Sequence, residues 1–210
     1  PEGRLAVVAV LLDRGGVDWR EIRGPEDLTR LPLLDKATLI ARMPDLLTVP
    51  PSEKTPPTRY TTGTSGAPLQ LPVSTGERWF DILAWLRVYR QAGLSLRDRQ
   101  VKMRIPNGPF TGHRVSSALG LFPREYLSSL EPAAAKVEFL QCRRPGALFG
   151  HASMMGSIAR ELERRDERLR IPLLFSTSDM LWPGLRQLIE DRLKGTVYDV
   201  YGSVEAGPMA

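Results

Sequence analysis

Cysteine is almost missing from this chain: Cys142 stands alone in 210 residues. A disulfide framework is therefore excluded, because one thiol has no partner within the chain. Histidine is nearly as scarce, with only His113 and His151. One cysteine and two histidines cannot build a thiolate zinc cluster inside a single chain. Long apolar runs are missing too. The longest runs from Leu5 to Leu12, far short of the ~20 residues a membrane-crossing helix needs, and it reads as a buried helix segment. A dominant charge of one sign is also lacking: 29 Lys plus Arg stand against 24 Asp plus Glu, a net +5. That surplus suits nucleotides, CoA-like polyanions, nucleic acid or an acidic membrane. The signs are interleaved, however. In Arg160-Glu161-Leu162-Glu163-Arg164-Arg165-Asp166-Glu167-Arg168 opposite charges recur at helical spacing, which marks a solvated helix face and not a nucleic-acid stripe.

What is present is ordinary for a globular protein: 42% hydrophobic and 25% charged residues. A chain of this size buries roughly 70% of its unfolded surface, so overall disorder is excluded. Pro25-Glu26-Asp27-Leu28 suits a short first turn with acids at its start. Asp35 is placed to cap a helix from Lys36 to about Met43, with Pro44 breaking the chain. The string Pro50-Pro51-Ser52-Glu53-Lys54-Thr55-Pro56-Pro57 is an exposed connector. We divide the chain into a helical, Pro-rich lead-in over 1–57 and an α/β part over 58–210.

In the second part a short strand is expected over Leu69–Val73. Ser74 and Glu77 then form a capping box. The helix after it carries Phe80, Leu83 and Leu86, with Trp79, Ile82 and Tyr89 on a neighbouring stripe. That width of apolar surface predicts a well-buried helix ended by Gly93. Strands are expected at Val101–Ile105, Lys136–Leu140, Ile171–Phe175 and Val197–Tyr201. Helices are expected near Gly112–Leu119, over Ser153–Leu169 with Met154, Ile158 and Leu162 inward, and over Pro183–Lys194 with Leu185, Leu188, Ile189 and Leu193 inward and Gly195 stopping it. Alternating strands and helices with short connections predict an α/β fold, a largely parallel sheet flanked by helices.

Two strings carry candidate chemistry. The first is Tyr60-Thr61-Thr62-Gly63-Thr64-Ser65-Gly66-Ala67-Pro68. Glycine N–H groups and Ser/Thr hydroxyls can converge on phosphate oxygens. No Gly-Lys-Ser/Thr follows, so it is not a Walker loop; a plain surface turn is the simpler reading of the string alone. The second is Val197-Tyr198-Asp199-Val200-Tyr201-Gly202-Ser203-Val204-Glu205-Ala206-Gly207. A strand enters a glycine turn, and ligands bind at the carboxyl ends of parallel strands. Tyr201 can offer a flat face to a base, and Glu205 can hold Mg²⁺, a cation that prefers oxygen ligands. A buried strand tyrosine and a solvated glutamate form the simpler alternative. His113, His151 and the Arg143-Arg144 pair are lesser candidates, each read more simply as a surface, helix-start or solvated residue. Trp79, Trp85 and Trp182 read as core.

Together, and in this order, the strings resemble the adenylate-forming superfamily, in particular the branch of phenylacetate-CoA ligases and their capsular-polysaccharide relatives. Thr61-Thr62-Gly63-Thr64-Ser65-Gly66-Ala67-Pro68 is similar to its Thr-Ser-Gly-Thr-Thr-Gly-x-Pro phosphate loop, and Tyr201-Gly202-Ser203-Val204-Glu205 to its Tyr-Gly-x-Thr/Ser-Glu turn. Glu26-Asp27-Leu28-Thr29-Arg30-Leu31-Pro32-Leu33-Leu34-Asp35-Lys36 looks like that branch's lead-in, and Thr177-Ser178-Asp179-Met180-Leu181 like the stretch before the second turn.

The resemblance implies an AMP-forming acid–thiol ligase. A carboxylate attacks the α-phosphorus of ATP, and a thiol, usually CoA, takes the acyl group from the adenylate. It implies that Thr61, Thr62, Gly63, Thr64, Ser65 and Gly66 bind ATP phosphates, that Tyr201, Gly202 and Ser203 bind the adenine and AMP portion, and that Glu205 holds Mg²⁺. The partners expected are small-molecule carboxylates, not nucleic acid, in a cytoplasmic protein without a membrane span. The sequence departs from the pattern at Val204, which replaces a hydroxyl residue near the α-phosphate, at Leu69 and at Asp179. The resemblance covers roughly the front half of such an enzyme, and the lysine-bearing C-terminal domain is expected outside this chain. Two alternatives stay open: a non-catalytic nucleotide-binding or scaffold module with the same fold, and an unrelated α/β domain. The ligase reading expects the loop at Thr61 and the turn at Tyr201 to share one cleft.

Overall fold

The computed structural model describes residues 16–18, 21–31, 33, 35–46, 58–60, 70–73, 75–104, 120–203 and 207–208. Its contacts divide the chain into Pro1–Phe80 and Asp81–Ala210. In the first unit Pro25–Arg30 form a 3₁₀ helix. The Asp27 carboxylate accepts the backbone N–H groups of Arg23 at 2.9 Å and Gly24 at 3.3 Å, filling donors that a helix start leaves open. Helix α1 spans Lys36–Leu46. Asp35 caps it as expected, accepting the Thr38 N–H at 2.7 Å. The helix runs through Pro44 instead of stopping before it. A proline this close to the C-terminal end deprives only one carbonyl of its partner, so the break comes two residues later. Strands β1 (Thr58–Tyr60) and β2 (Gln70–Pro72) pair antiparallel, with Tyr60 opposite Gln70. The segments expected at 5–12 and 112–119 lie outside the described residues.

The second unit is the expected α/β fold. Strands β3 (Gln100–Arg104), β4 (Arg124–Ser128), β5 (Ala147–Gly150), β6 (Leu173–Ser176) and β7 (Thr196–Asp199) form one five-stranded, wholly parallel sheet in the order β4-β3-β5-β6-β7. Helix α3 (Ala133–Arg143), α4 (Ala152–Arg164) and α5 (Pro183–Leu193) cover one face. Their apolar stripes meet Val101, Met103, Leu127, Leu148, Leu174 and Val197. On α4 the stripe is Met155, Ile158, Ala159 and Leu162, all fully buried and spaced for one helix face. Each such large side chain contributes about 1.5–3 kcal/mol on burial.

Helix α2 (Thr75–Gln91) serves the other face with Trp85, Val88 and Tyr89, packed on Phe149, Phe175 and Val200. Gly93, at φ +94°, turns the chain out of α2. The Leu94 N–H donates to the Tyr89 carbonyl and the Gly93 N–H to the Arg90 carbonyl, both at 3.0 Å. The closing apolar contact of that motif is Leu94, only 1% exposed.

Four expectations fail. Lys136–Leu140 is not a strand but the middle of α3. Ala133-Ala134-Ala135 and Pro132 ahead of them favour a helix start, and Val137 and Leu140 lie on its buried side. The expected full burial of α2 fails in its N-terminal half: Trp79, Phe80, Ile82 and Leu83 are 62%, 73%, 45% and 61% exposed. Only the stripe over the sheet is covered, so Trp79 is not core. Trp182 is not core either, at 51% exposed. Gly195 does not itself end α5. The left-handed residue is Lys194, at φ +45°, and Gly195 is needed because a Cβ there would overlap the Ile171 carbonyl oxygen.

Candidate functional site

The strand order fixes where a ligand site can lie. The chain runs outward from β3 to β4 and then returns to place β5 on the other side of β3. The carboxyl ends of β3 and β5 therefore diverge into a crevice, the usual ligand position in open parallel sheets. That edge carries Arg104 at the end of β3, His151 after β5, Thr177-Ser178-Asp179 after β6 and Val200-Tyr201 after β7.

The edge is tied together by backbone bonds. The Thr177 N–H donates to the Gly150 carbonyl at 3.2 Å and the Val200 N–H to the Ser176 carbonyl at 2.8 Å. Beyond them the chain turns sharply: Ser178 is at φ +72°, and the Asp179 N–H reaches back to the Thr177 carbonyl at 2.9 Å. The Asp179 carboxylate then crosses to the start of α4. It accepts the Ser153 backbone N–H at 3.2 Å and the Ser153 hydroxyl, and its other oxygen lies 3.6 Å from His151 Nδ1. His151 occupies the N-cap position, as the sequence suggests, but makes no capping bond of its own. Sequence reasoning gave Asp179 no such role. Its partner is 26 residues away, and no local pattern announces the pair.

Tyr201 follows β7 at this edge and is 69% exposed, so the buried-tyrosine alternative does not hold for it. Gly202 and Ser203 form the two-residue strand β8, paired antiparallel with β9 (Gly207–Pro208). Glu205 falls between them, outside the described residues, as do Val204 and His113. Thr61, Thr62, Gly63, Thr64, Ser65 and Gly66 also lie outside them. Their flanks are described: the chain from 61 to 69 connects the paired strands β1 and β2, so its two ends are held together. Among the described residues no group of three or more metal-ligating side chains occurs, and no helix is long and apolar enough to cross a membrane.

The Arg143-Arg144 pair sits at the opposite, amino end of the sheet, just before β5. Arg143 is paired with Glu125 at 2.9 Å, and Arg144 closes α3 in a left-handed conformation. A hollow of about 460 Å³ beside Arg170, Glu190, Lys194 and Thr196 also belongs to that end. Near the carboxyl edge a hollow of about 260 Å³ lies between α2 and the ends of β6 and β7, lined by Phe175, Tyr198, Asp199 and Val200. It is smaller than a usual ligand site and cannot enclose a nucleotide by itself.

Comparisons with known proteins bear on the fold. No protein-family model matches the chain, and no curated protein does. Solved structures do. A 2-hydroxyisobutyryl-CoA ligase in complex with 2-HIB-AMP and CoA is similar over 98% of this chain and 47% of its own, with a TM-score of 0.75 and 20% identity. The anthranilate CoA ligase AuaEII in complex with anthranoyl-AMP is similar over 70% of this chain and 29% of its own, with a TM-score of 0.53 and 15% identity. A long-chain-fatty-acid-CoA ligase from Archaeoglobus fulgidus is similar over 89% of this chain and 41% of its own, with a TM-score of 0.50 and 16% identity. The chain spans about half the length of the 2-hydroxyisobutyryl-CoA ligase it matches. The fold is thus one that acyl-CoA ligases share.

Proposed function

We propose that this chain is part of an AMP-forming acid–thiol ligase, related to phenylacetate-CoA ligases, that activates a small carboxylic acid with ATP and passes the acyl group to a thiol such as CoA. The observation that carries the reading is the joint one at β7. A Tyr-Gly-Ser turn leaves the carboxyl end of a doubly wound sheet, and that sheet has the fold of ligases solved with acyl-AMP and CoA.

In the first step a substrate carboxylate oxygen bonds to the α-phosphorus of ATP while the bond to the β-phosphate oxygen breaks, giving acyl-AMP and pyrophosphate. In the second a thiolate attacks the acyl carbon and AMP leaves. Most of the catalysis of such transfers comes from positioning and electrostatics. The Thr61–Gly66 loop supplies hydroxyls and N–H groups for the phosphates. Exposed Tyr201 supplies an aromatic face for the base. Glu205 supplies one carboxylate to Mg²⁺, an ion that takes most of its remaining ligands from phosphate and water. Bound there, Mg²⁺ would neutralise charge on the phosphate oxygens.

Val204 favours a second reading, a nucleotide-binding module without the chemistry, because a hydroxyl is replaced by an apolar side chain in the motif. Pyrophosphate release separates the two. Incubation of the intact protein with ATP, Mg²⁺ and a panel of carboxylic acids gives acid-dependent pyrophosphate under the ligase reading. ATP binding with no pyrophosphate release for any acid selects the second.

A further inference from the structure

Strand β7 ends the sheet among the described residues, so one of its sides has no neighbouring strand. The Thr196 N–H donates to the Pro172 carbonyl at 3.0 Å and the Val200 N–H to the Ser176 carbonyl at 2.8 Å. Backbone groups alternate from side to side along a strand. Thr196, Tyr198 and Val200 therefore face β6, while Val197 and Asp199 turn their N–H and C=O groups to the open side. Such a row of peptide groups is a template for pairing with another chain. Val197 is also only 3% exposed, and peptide groups held that deep need a partner.

Helix α5 supplies one. The Val197 N–H donates to Glu190 Oε1 at 2.9 Å, and Arg186 Nη1 donates to the Val197 carbonyl. Arg186 and Glu190 are one helical turn apart and 3.7 Å from each other, so each steadies the other over the strand. Both bonds to Val197 are charge-assisted, which makes them roughly twice as strong as bonds between neutral groups. An incoming strand has only neutral peptide groups to offer in exchange, so it loses the competition at Val197. That leaves Asp199 as the single outward-facing residue of β7 whose backbone is open among the described residues.

We propose that Arg186 and Glu190 guard the edge of the sheet: they keep β7 from pairing with the β7 of a second copy of this chain. A second copy is the partner that fits, because two identical edges meet antiparallel across a two-fold axis and satisfy each other with the same groups. The inference is read from β7 and α5 alone and does not depend on the ligase reading.

Amide hydrogen exchange and sedimentation of the intact protein test this. In Glu190→Ala the Val197 amide should exchange about tenfold faster than in the parent, as loss of a charge-assisted bond implies. The Tyr198 amide, which faces β6, should not change. Glu190→Gln keeps an acceptor oxygen and should keep most of the protection. The double variant Arg186→Ala with Glu190→Ala should show a concentration-dependent species of twice the parent's mass. Adding Asp199→Pro should abolish that species, because proline removes an outward N–H and costs no bond to β6. Circular dichroism checks folding; should the double variant fail to fold, Glu190→Ala alone carries the sedimentation arm with the same expected outcomes. Equal exchange at Val197 in Glu190→Ala and the parent, no added self-association of the folded variant, or self-association that survives Asp199→Pro would overturn the proposal.

Discussion

Asp179 caps a helix to which it does not belong: its carboxylate accepts the Ser153 backbone N–H at 3.2 Å in the first turn of α4, across 26 residues of chain. The loop after β6 is thereby fastened to the helix after β5, and the reversal at Ser178 is held between them. Removing a capping acceptor costs about 0.5–2 kcal/mol. Asp179→Ala should therefore lose roughly 1 kcal/mol in urea denaturation, while Asp179→Asn, which keeps an acceptor oxygen, should lose clearly less. Identical midpoints for both variants and the parent would show that the link carries no stability.

Helix α2 is two-sided, which mutation can resolve. Leu83 is 61% exposed whereas Leu94, where the chain leaves the helix, is 1% exposed. Leu94→Ala should cost about 2–5 kcal/mol, the range for a buried leucine. Leu83→Ala should stay within about 0.5 kcal/mol. A large loss at Leu83 in thermal denaturation would mean that the N-terminal half of α2 is covered in the protein.

Gly195 is a position where space, not torsion, demands glycine. A Cβ would overlap the Ile171 carbonyl oxygen, and that atom belongs to backbone that cannot swing aside. Gly195→Ala should destabilise by about 1–3 kcal/mol, as overpacking does. Gly93→Ala should also destabilise, because φ is +94° there even though no atom lies within 4 Å of the added Cβ. Full stability of Gly195→Ala by calorimetry would contradict the contact.

Glu161 sets an acid limit on stability. Hydrogen bonds from Arg164 and then Arg165 hold its carboxyl down at about 2, against an ordinary 4.5. A depressed folded-state value means that the pair's contribution is complete above about 4.5 and is lost as pH falls towards about 2. Glu161→Gln should flatten the stability–pH curve across that interval and leave its shape above pH 5 unchanged. An unaltered acid limb, measured by denaturant midpoints from pH 2 to pH 6, would remove Glu161 from the acid response.

Legibility in the sequence followed the length and period of each element. α4 and α5 announce themselves through apolar residues at helical spacing, although α4 ends at Arg164 and not near Leu169, and the strands expected at Ile171–Phe175 and Val197–Tyr201 overlap β6 and β7. β5 escapes notice because Ala147-Leu148-Phe149-Gly150 is buried on both faces; four residues that all point into core show no alternation. β1 and β4 were likewise not foreseen. The apolar Val137 and Leu140 suggested a strand, although the alanines before them favour the helix that forms. At the candidate site, the place of Tyr201 just beyond a parallel strand is legible because the strand pattern before it is. The Asp179–Ser153 link is not, since it joins residues 26 apart that only the folded chain brings together.

The central claim is acyl-adenylate formation, and carboxylate-dependent exchange of labelled pyrophosphate into ATP by the intact protein reads it directly. The account predicts exchange with at least one acid of a panel at millimolar Mg²⁺. It also predicts that Glu205→Gln, which keeps size and removes charge, slows the exchange by roughly two orders of magnitude or more, since about 2.7 kcal/mol of lost charge stabilisation is a hundredfold in rate. Glu190→Gln, a surface control on α5 whose carboxylate accepts the Val197 N–H at 2.9 Å, should change the rate little. No exchange with any acid, or a Glu205→Gln rate within a few-fold of the parent at low Mg²⁺, would contradict it.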